Sequence, residues 1–108
     1  MRTSREQFLA ECNETITRNN LVQLFVVHPY GIDLGLIGVV ESVTADSLTL
    51  QSNGRKESVE IDIRECIVDS DPRFCVGKKS WNIRDRDGFG WDLIDVESDQ
   101  SAGLISSM

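Results

Sequence analysis

Between residues 35 and 69 the chain reads as three or four strands joined by tight turns, most plainly where apolar side chains recur at every second position. Leu48-Thr49-Leu50-Gln51 alternates apolar with polar, and Val59, Ile61 and Ile63 alternate with Glu60, Asp62 and Arg64. A helix would space its apolar positions three or four apart, whereas a two-residue period lines one face of a strand. Asn53-Gly54 lies between these runs and predicts a type I′ hairpin, a turn that needs positive φ at both central residues. Asp46-Ser47 marks the tight connection before them, and residues 66–68 read as a short strand after them. Upstream, Leu21–His28 is apolar on both faces apart from Gln23 and His28. That pattern predicts a strand buried on both sides, one face in the core and the other under a helix or a neighbouring subunit.

The flanks complete the plan. Phe8, Leu9, Cys12 and Ile16 form one apolar stripe through Thr17, and Ser4 with Gln7, or Thr3 with Glu6, has capping-box spacing. The stripe predicts an amphipathic helix, with Asn19-Asn20 as its exit because asparagine tolerates the left-handed conformation. Pro29-Tyr30-Gly31 ends the strand that follows, and residues 32–37 carry apolar surface into Gly38. Beyond Asp71-Pro72, a second hairpin is expected from residues 81–86 and 89–96, turning at Asp87-Gly88. Residues 97–108 are small and polar and read as a flexible tail. Three short strands bury little alone and leave aggregation-prone edges, so the economical arrangement is a small, nearly closed barrel.

Length permits one domain with a modest core and no metal or disulfide framework. Cys12, Cys66 and Cys75 are odd in number and lack CxxC spacing, which points to a reduced, cytoplasmic setting with Cys12 and Cys66 as small core side chains. No run of about 18 apolar residues is present and the N-terminus has no apolar signal segment, so no membrane association is expected. The net charge of −7 disfavours non-specific binding to nucleic acid, which depends on neutralising phosphates with Lys and Arg. Most of the excess is late in the chain: residues 81–108 hold two basic and six acidic side chains.

Taken in order, the helix, the glycine-opened strand and the strand after it resemble the Sm-like family, which includes Lsm proteins and bacterial Hfq. Gly38, Val40, Val43, Leu48 and Leu50 fit its first motif, with Ser47 where the family carries Asn. Ile61, Ile63 and Arg64 fit the second, with Glu65 in place of Gly and Cys66-Ile67-Val68 following. The resemblance covers residues 4–70. It implies a mainly β fold: a small, strongly bent five-stranded barrel behind an N-terminal helix, here with a hairpin extension over residues 71–96. It also implies a homo-oligomeric ring built through edge strands, with RNA bases bound near the pore. Carried over residue by residue, Arg64 is a base-contacting position and Ser47 a weakened one. A guanidinium stacks on bases and bonds phosphate, while a hydroxyl makes fewer directed bonds than an amide. Glu65, beside Arg64, repels phosphate.

Other chemistry is sparse. His28-Pro29-Tyr30 is a candidate base-stacking patch or an exposed strand end. Trp81 and Trp91 are candidate stacking platforms, or side chains packing with each other or against the barrel. Arg73, Lys78 and Lys79 form a small basic cluster. Asp85-Arg86-Asp87-Gly88 lacks the ligand spacing of a calcium loop, since Ile83 and Ile94 fall at positions where oxygens are required. With one histidine and no nucleophile–base set, no catalysis, cofactor or metal is expected. The sequence therefore predicts a non-enzymatic Sm-like assembly module with RNA as a candidate partner. The competing reading is a protein–protein adaptor that uses the second hairpin and binds no nucleic acid.

Overall fold

The Ser4 side chain starts the first element, α1 (Arg5–Thr17), by accepting a hydrogen bond from the Gln7 amide at 3.1 Å. That bond satisfies one of the donors a helix leaves orphaned at its first turn. The chain leaves α1 through Asn19, whose φ of 53° is left-handed as asparagine permits. This computed structural model describes residues 3–54, 57–70 and 78–98. Seven strands follow: β1 (Leu21–His28), β2 (Gly31–Val43), β3 (Ser47–Ser52), β4 (Ser58–Asp62), β5 (Ile67–Ser70), β6 (Lys79–Arg84) and β7 (Gly90–Asp95). All pair antiparallel in one sheet of order β4-β3-β2-β1-β7-β6-β5.

The mainly β class with an N-terminal helix is as expected, but the barrel of five strands is corrected to an open sheet of seven. Two causes add strands. Residues 31–37 form the first half of β2, paired with β1 from His28↔Gly31 onward, instead of a connecting loop. The second hairpin is not an outlying extension: β7 pairs with β1, and β6 lies between β7 and β5. The sheet still curls. Its outermost strands, β4 and β5, are joined by residues 63–66 alone, which reach about 18 Å at most. In a flat sheet six strand spacings would separate them by about 29 Å.

No ladder closes the seam between β4 and β5, because the N-terminal segment occupies it. The Thr3 amide donates to the Val68 carbonyl at 2.8 Å. Arg5 Nη2 donates to the Ile63 carbonyl at 2.5 Å and to the Cys66 carbonyl. Both bonds fasten the helix entry to the joint between the edge strands.

Inside the curl, the register stacks Leu36, Leu24, Leu93 and Trp81 across four adjacent strands. Phe8 of α1 meets the Trp81 ring edge-on, with centroids 6.2 Å apart and planes at 83°. Such T-shaped contacts match the positive edge of one ring to the negative face of the other. Cys12, Val22, Leu48, Leu50, Ile61 and Ile63 complete the buried cluster. Two glycines admit close backbone approaches at the bends. A Cβ on Gly38 would fall 1.9 Å from the Gln51 carbonyl oxygen, and one on Gly90 would fall 1.8 Å from that of Ile83.

Neither turn expected as type I′ has that form. Asn19 is the one described non-glycine residue with positive φ, so Asn53 and Asp87 do not supply it. Between Asn53 and Gly54 only the glycine is left-handed, and the Ser52 amide donates to the Glu57 carbonyl at 3.0 Å. In the second hairpin the turn begins at Asp85, whose Oδ1 accepts from the amides of Asp87 and Phe89 at 2.8 and 3.0 Å. Gly88 then takes the positive φ.

The first two residues of the expected tail are anchored. Glu97 Oε2 accepts from the Leu21 amide at 2.6 Å, and the buried Ser98 hydroxyl accepts from the Lys79 amide at 2.7 Å. The rest of the tail, together with Arg73 and Cys75, lies outside the described residues. Among the described residues, no helix is long and apolar enough to cross a membrane.

Candidate binding site at the seam of the sheet

Arg64 lies just beyond β4, in the connection that bridges the two edge strands. Its guanidinium is held by Asp62: Nε donates to both carboxylate oxygens at 3.1 Å, and Nη2 donates to Oδ2 at 2.6 Å. The Arg64 amide also donates to Asp62 Oδ1 at 3.0 Å. The fork spans from Asp62, the last residue of β4, to the turn that follows it. The fork and the amide together hold the Asp62 carboxyl down at about 2, with the guanidinium contact the larger cause. The same contact raises the pKa of Arg64. Arg64 is therefore exposed but already committed to a carboxylate.

Ser47 is brought close to it. The β3–β4 ladder pairs Ser47 with Asp62, and the Ile63 amide donates to the Asp46 carbonyl at 2.8 Å. The serine hydroxyl lies 3.2 Å from the Thr44 hydroxyl, and its amide donates to that same oxygen at 3.0 Å. It serves the local turn. His28 and Tyr30 sit apart, where β1 turns into β2. His28 Nε2 is 3.3 Å from Asp33 Oδ2, and Tyr30 projects into solvent with 95% of its surface exposed. The four site residues thus form two pairs instead of one constellation.

Residues the sequence reading did not combine make the larger feature. A cavity of about 710 Å³ opens between the 62–66 segment on one side and the ends of β1 and β7 on the other. Val26, Phe89 and Trp91 supply its apolar wall. Trp91 pairs with Val26 and with Ile83 on the inward face of the sheet, at the end that the core cluster does not fill. Its rim carries Asp62, Glu65 and Asp85 against the single cation of Arg64. Cys66 also lines the cavity. Burial raises its thiol pKa first, and the negative charges of Asp85, Asp62 and Glu65 act in the same direction, opposed by Arg5. The thiol therefore stays protonated and is a poor nucleophile. No group of three or more His, Cys, Asp or Glu among the described residues is arranged to hold a metal ion.

The two tryptophans divide. Trp81 is fully buried against Phe8, while Trp91 lines the cavity and stands opposite Ile83, so they are not partners. Around Asp95, at the other end of β7, Lys79 Nζ bonds Glu14 Oε2 at 3.0 Å and lowers that carboxyl's pKa. That basic side chain is thus part of the helix–sheet contact.

A second surface feature lies outside the curl. Val27 and Phe25 pair with Ile32 and Leu34, which places all four on the outward face. The bulged Gly35 shifts the alternation and puts Ile37 on that face too. Ile32 is 50% exposed, Leu34 58% and Ile37 37%. Comparison with known proteins supplies no homologue: no family model, curated protein or solved structure matches this chain.

Proposed function

We propose that the chain is a non-enzymatic assembly module whose outward β1–β2 face packs against further copies of the same chain. The observation that carries this reading is the cluster of half-exposed Ile32, Leu34 and Ile37 beside Phe25. Contiguous apolar surface of this kind marks interaction sites. Charge adds a second argument. Copies with a net charge of −7 repel one another, yet the residues facing outward from Leu21 to Val39 on β1 and β2 include no charged side chain. A second copy meets the first here without placing like charges together. The helix does not cover this face, since α1 packs inside the curl through Phe8 and Cys12. The order of helix and strands supports an Sm-like relationship as a proposal on the same footing.

Light scattering on the wild type and on the Ile32→Glu, Leu34→Glu double variant tests the assembly. The expected result is an oligomer for the first and a monomer with an unchanged circular-dichroism spectrum for the second. A monomeric wild type, or an oligomer indifferent to both glutamates, refutes it. RNA binding is the second reading, favoured by the pairing that sets Ser47 beside the Asp62–Arg64 segment. Filter binding to U-rich and A-rich RNA tests it. Salt-sensitive retention lost in Arg64→Ala supports it, and no retention rules it out. The three carboxylates on the same rim favour the protein-only module.

A further inference from the structure

We propose that the cavity at the seam binds a lysine or arginine side chain presented by a partner polypeptide. The inference rests on none of the exposed assembly residues Ile32, Leu34 and Ile37 and stands whether or not copies associate there.

The wall and the rim suit different parts of one side chain. Val26, Phe89 and Trp91 offer apolar surface to an aliphatic stem, and an indole face attracts a cation held within about 6 Å of its centre. The rim supplies the counter-charge. Asp62, Glu65 and Asp85 outnumber Arg64, and Asp62 already uses both its oxygens on that arginine. Two carboxylates remain with capacity. Among the described residues Glu65 has no hydrogen-bond partner, and Asp85 spends only Oδ1 on its turn. Their fields meet inside the cavity, because both raise the pKa of the Cys66 thiol on its lining.

Arg64 shows what the site accepts. Its guanidinium lies on Asp62 in the bidentate manner expected of a bound arginine, so it acts as a built-in competitor for an incoming cation. Phosphate and carboxylate ligands face the opposite balance of charge. The volume, about 710 Å³, is within the range of ordinary ligand cavities and accommodates a long side chain with part of its backbone.

Tryptophan emission reports binding directly, since Trp81 is buried and Trp91 lines the cavity. The full chain is titrated with N-acetyl tetra-arginine amide, with N-acetyl tetra-citrulline amide of similar shape but no charge, and with n-butylguanidinium. A saturable, salt-weakened change with tetra-arginine only is expected. Glu65→Gln should weaken binding roughly two- to fivefold, the scale of an exposed charge pair. Arg64→Ala should strengthen it by a similar factor, by releasing Asp62, whereas a nucleic-acid site would lose affinity on that change. The Ile32→Glu, Leu34→Glu variant should bind as the wild type does, which separates this site from the assembly face. Four results overturn the proposal: no saturable change, an equal response to tetra-citrulline, affinities unmoved by Glu65→Gln and Arg64→Ala, or weaker binding in Arg64→Ala. Binding of n-butylguanidinium as tight as that of the peptide overturns the assignment to a polypeptide.

Discussion

Replacing Asp95 by asparagine should loosen the hold of α1 on the sheet. Asp95 is 1% exposed. Its Oδ2 accepts from the Thr15 hydroxyl at 2.8 Å and from Asn20 Nδ2 at 3.0 Å, which ties the end of the helix to β7. Its Oδ1 accepts from the amides of Glu97 and Ser98 at 3.1 and 3.0 Å. An asparagine of the same shape keeps one acceptor oxygen and turns the other into a donor. If the oxygen stays with the two amides, the new NH₂ faces Thr15 and Asn20. The threonine hydroxyl can rotate to accept, but the Asn20 amide loses its acceptor. Hydrogen bonds to a charged group contribute about 1.5–3 kcal/mol and neutral ones about 1. Weakening those that remain and orphaning one donor therefore costs about 2–3 kcal/mol. Thermal midpoints of domains this size fall about 4–8 °C per kcal/mol, so the expected drop is about 8–24 °C. Urea unfolding followed by Trp81 and Trp91 emission gives the free energy. Thr15→Val, alone and combined with Asp95→Asn, gives a coupling on the order of 1 kcal/mol. A loss below about 0.5 kcal/mol for Asp95→Asn, the range of indifferent surface changes, would refute the latch.

Gly38→Ala should abolish the native sheet, because its methyl group would fall 1.9 Å from the Gln51 carbonyl oxygen. Proton–nitrogen NMR would show lost dispersion, and a native-like spectrum would contradict the close approach. For pH, the fork to Arg64 holds the Asp62 carboxyl at about 2 against an ordinary 3.8. A depressed carboxylate contributes stability that is complete above 3.8 and is lost as pH falls through about 2. Carbon-detected NMR should find the Asp62 midpoint near 2 in the wild type and higher in Arg64→Ala, though still below 3.8 because the backbone amide of residue 64 continues to donate to Oδ1. A wild-type midpoint already at the ordinary value would remove the fork from the account.

Elements set by local chemistry were legible in the sequence. The Ser4 cap, the Asn19 exit and the bounds of β1 follow from single residues whose backbone and hydrogen-bonding preferences agree with their neighbours. The pairing around Ile61 and the second hairpin follow from an unbroken period of two. In the first half of β2 the sequence period misleads: Ile32, Leu34 and Leu36 are spaced two apart, but the bulge at Gly35 turns Leu36 inward and sets Ile37 with Ile32 and Leu34 on the outer face. The turn at Asn53-Gly54 departs from type I′ because Asn53 does not take positive φ while Gly54 does, and the Ser52 amide reaches the Glu57 carbonyl. Tertiary closure set that turn, and a dipeptide carries no record of it. The apolar pattern of β1 predicts two covered surfaces; the helix packs inside the curl, and on the other face Val27 is buried and Phe25 half-buried, while Ile32, Leu34 and Ile37 of β2 are the residues open to solvent. The seam cavity had no signature, since Val26, Glu65 and Trp91 meet only through the order of the strands.

The open seam ties the architecture to the candidate site. A sheet that curls without closing leaves two edge strands and an unfilled end. Thr3 and Arg5 use their donors on the seam, binding the carbonyls of Val68, Ile63 and Cys66. Those carbonyls flank Arg64 and Glu65, so the helix entry fixes the segment that carries the rim of the cavity. A weakened Arg5 contact would release that segment at both ends and move Glu65 and Arg64 relative to Trp91. Stability of the seam and affinity at the cavity are then coupled quantities, set by one side chain that touches no ligand. The exposed residues of the outward β1–β2 face, Ile32, Leu34 and Ile37, do not line the cavity and share none of that segment's hydrogen bonds. Self-assembly and cation binding should therefore respond to separate substitutions.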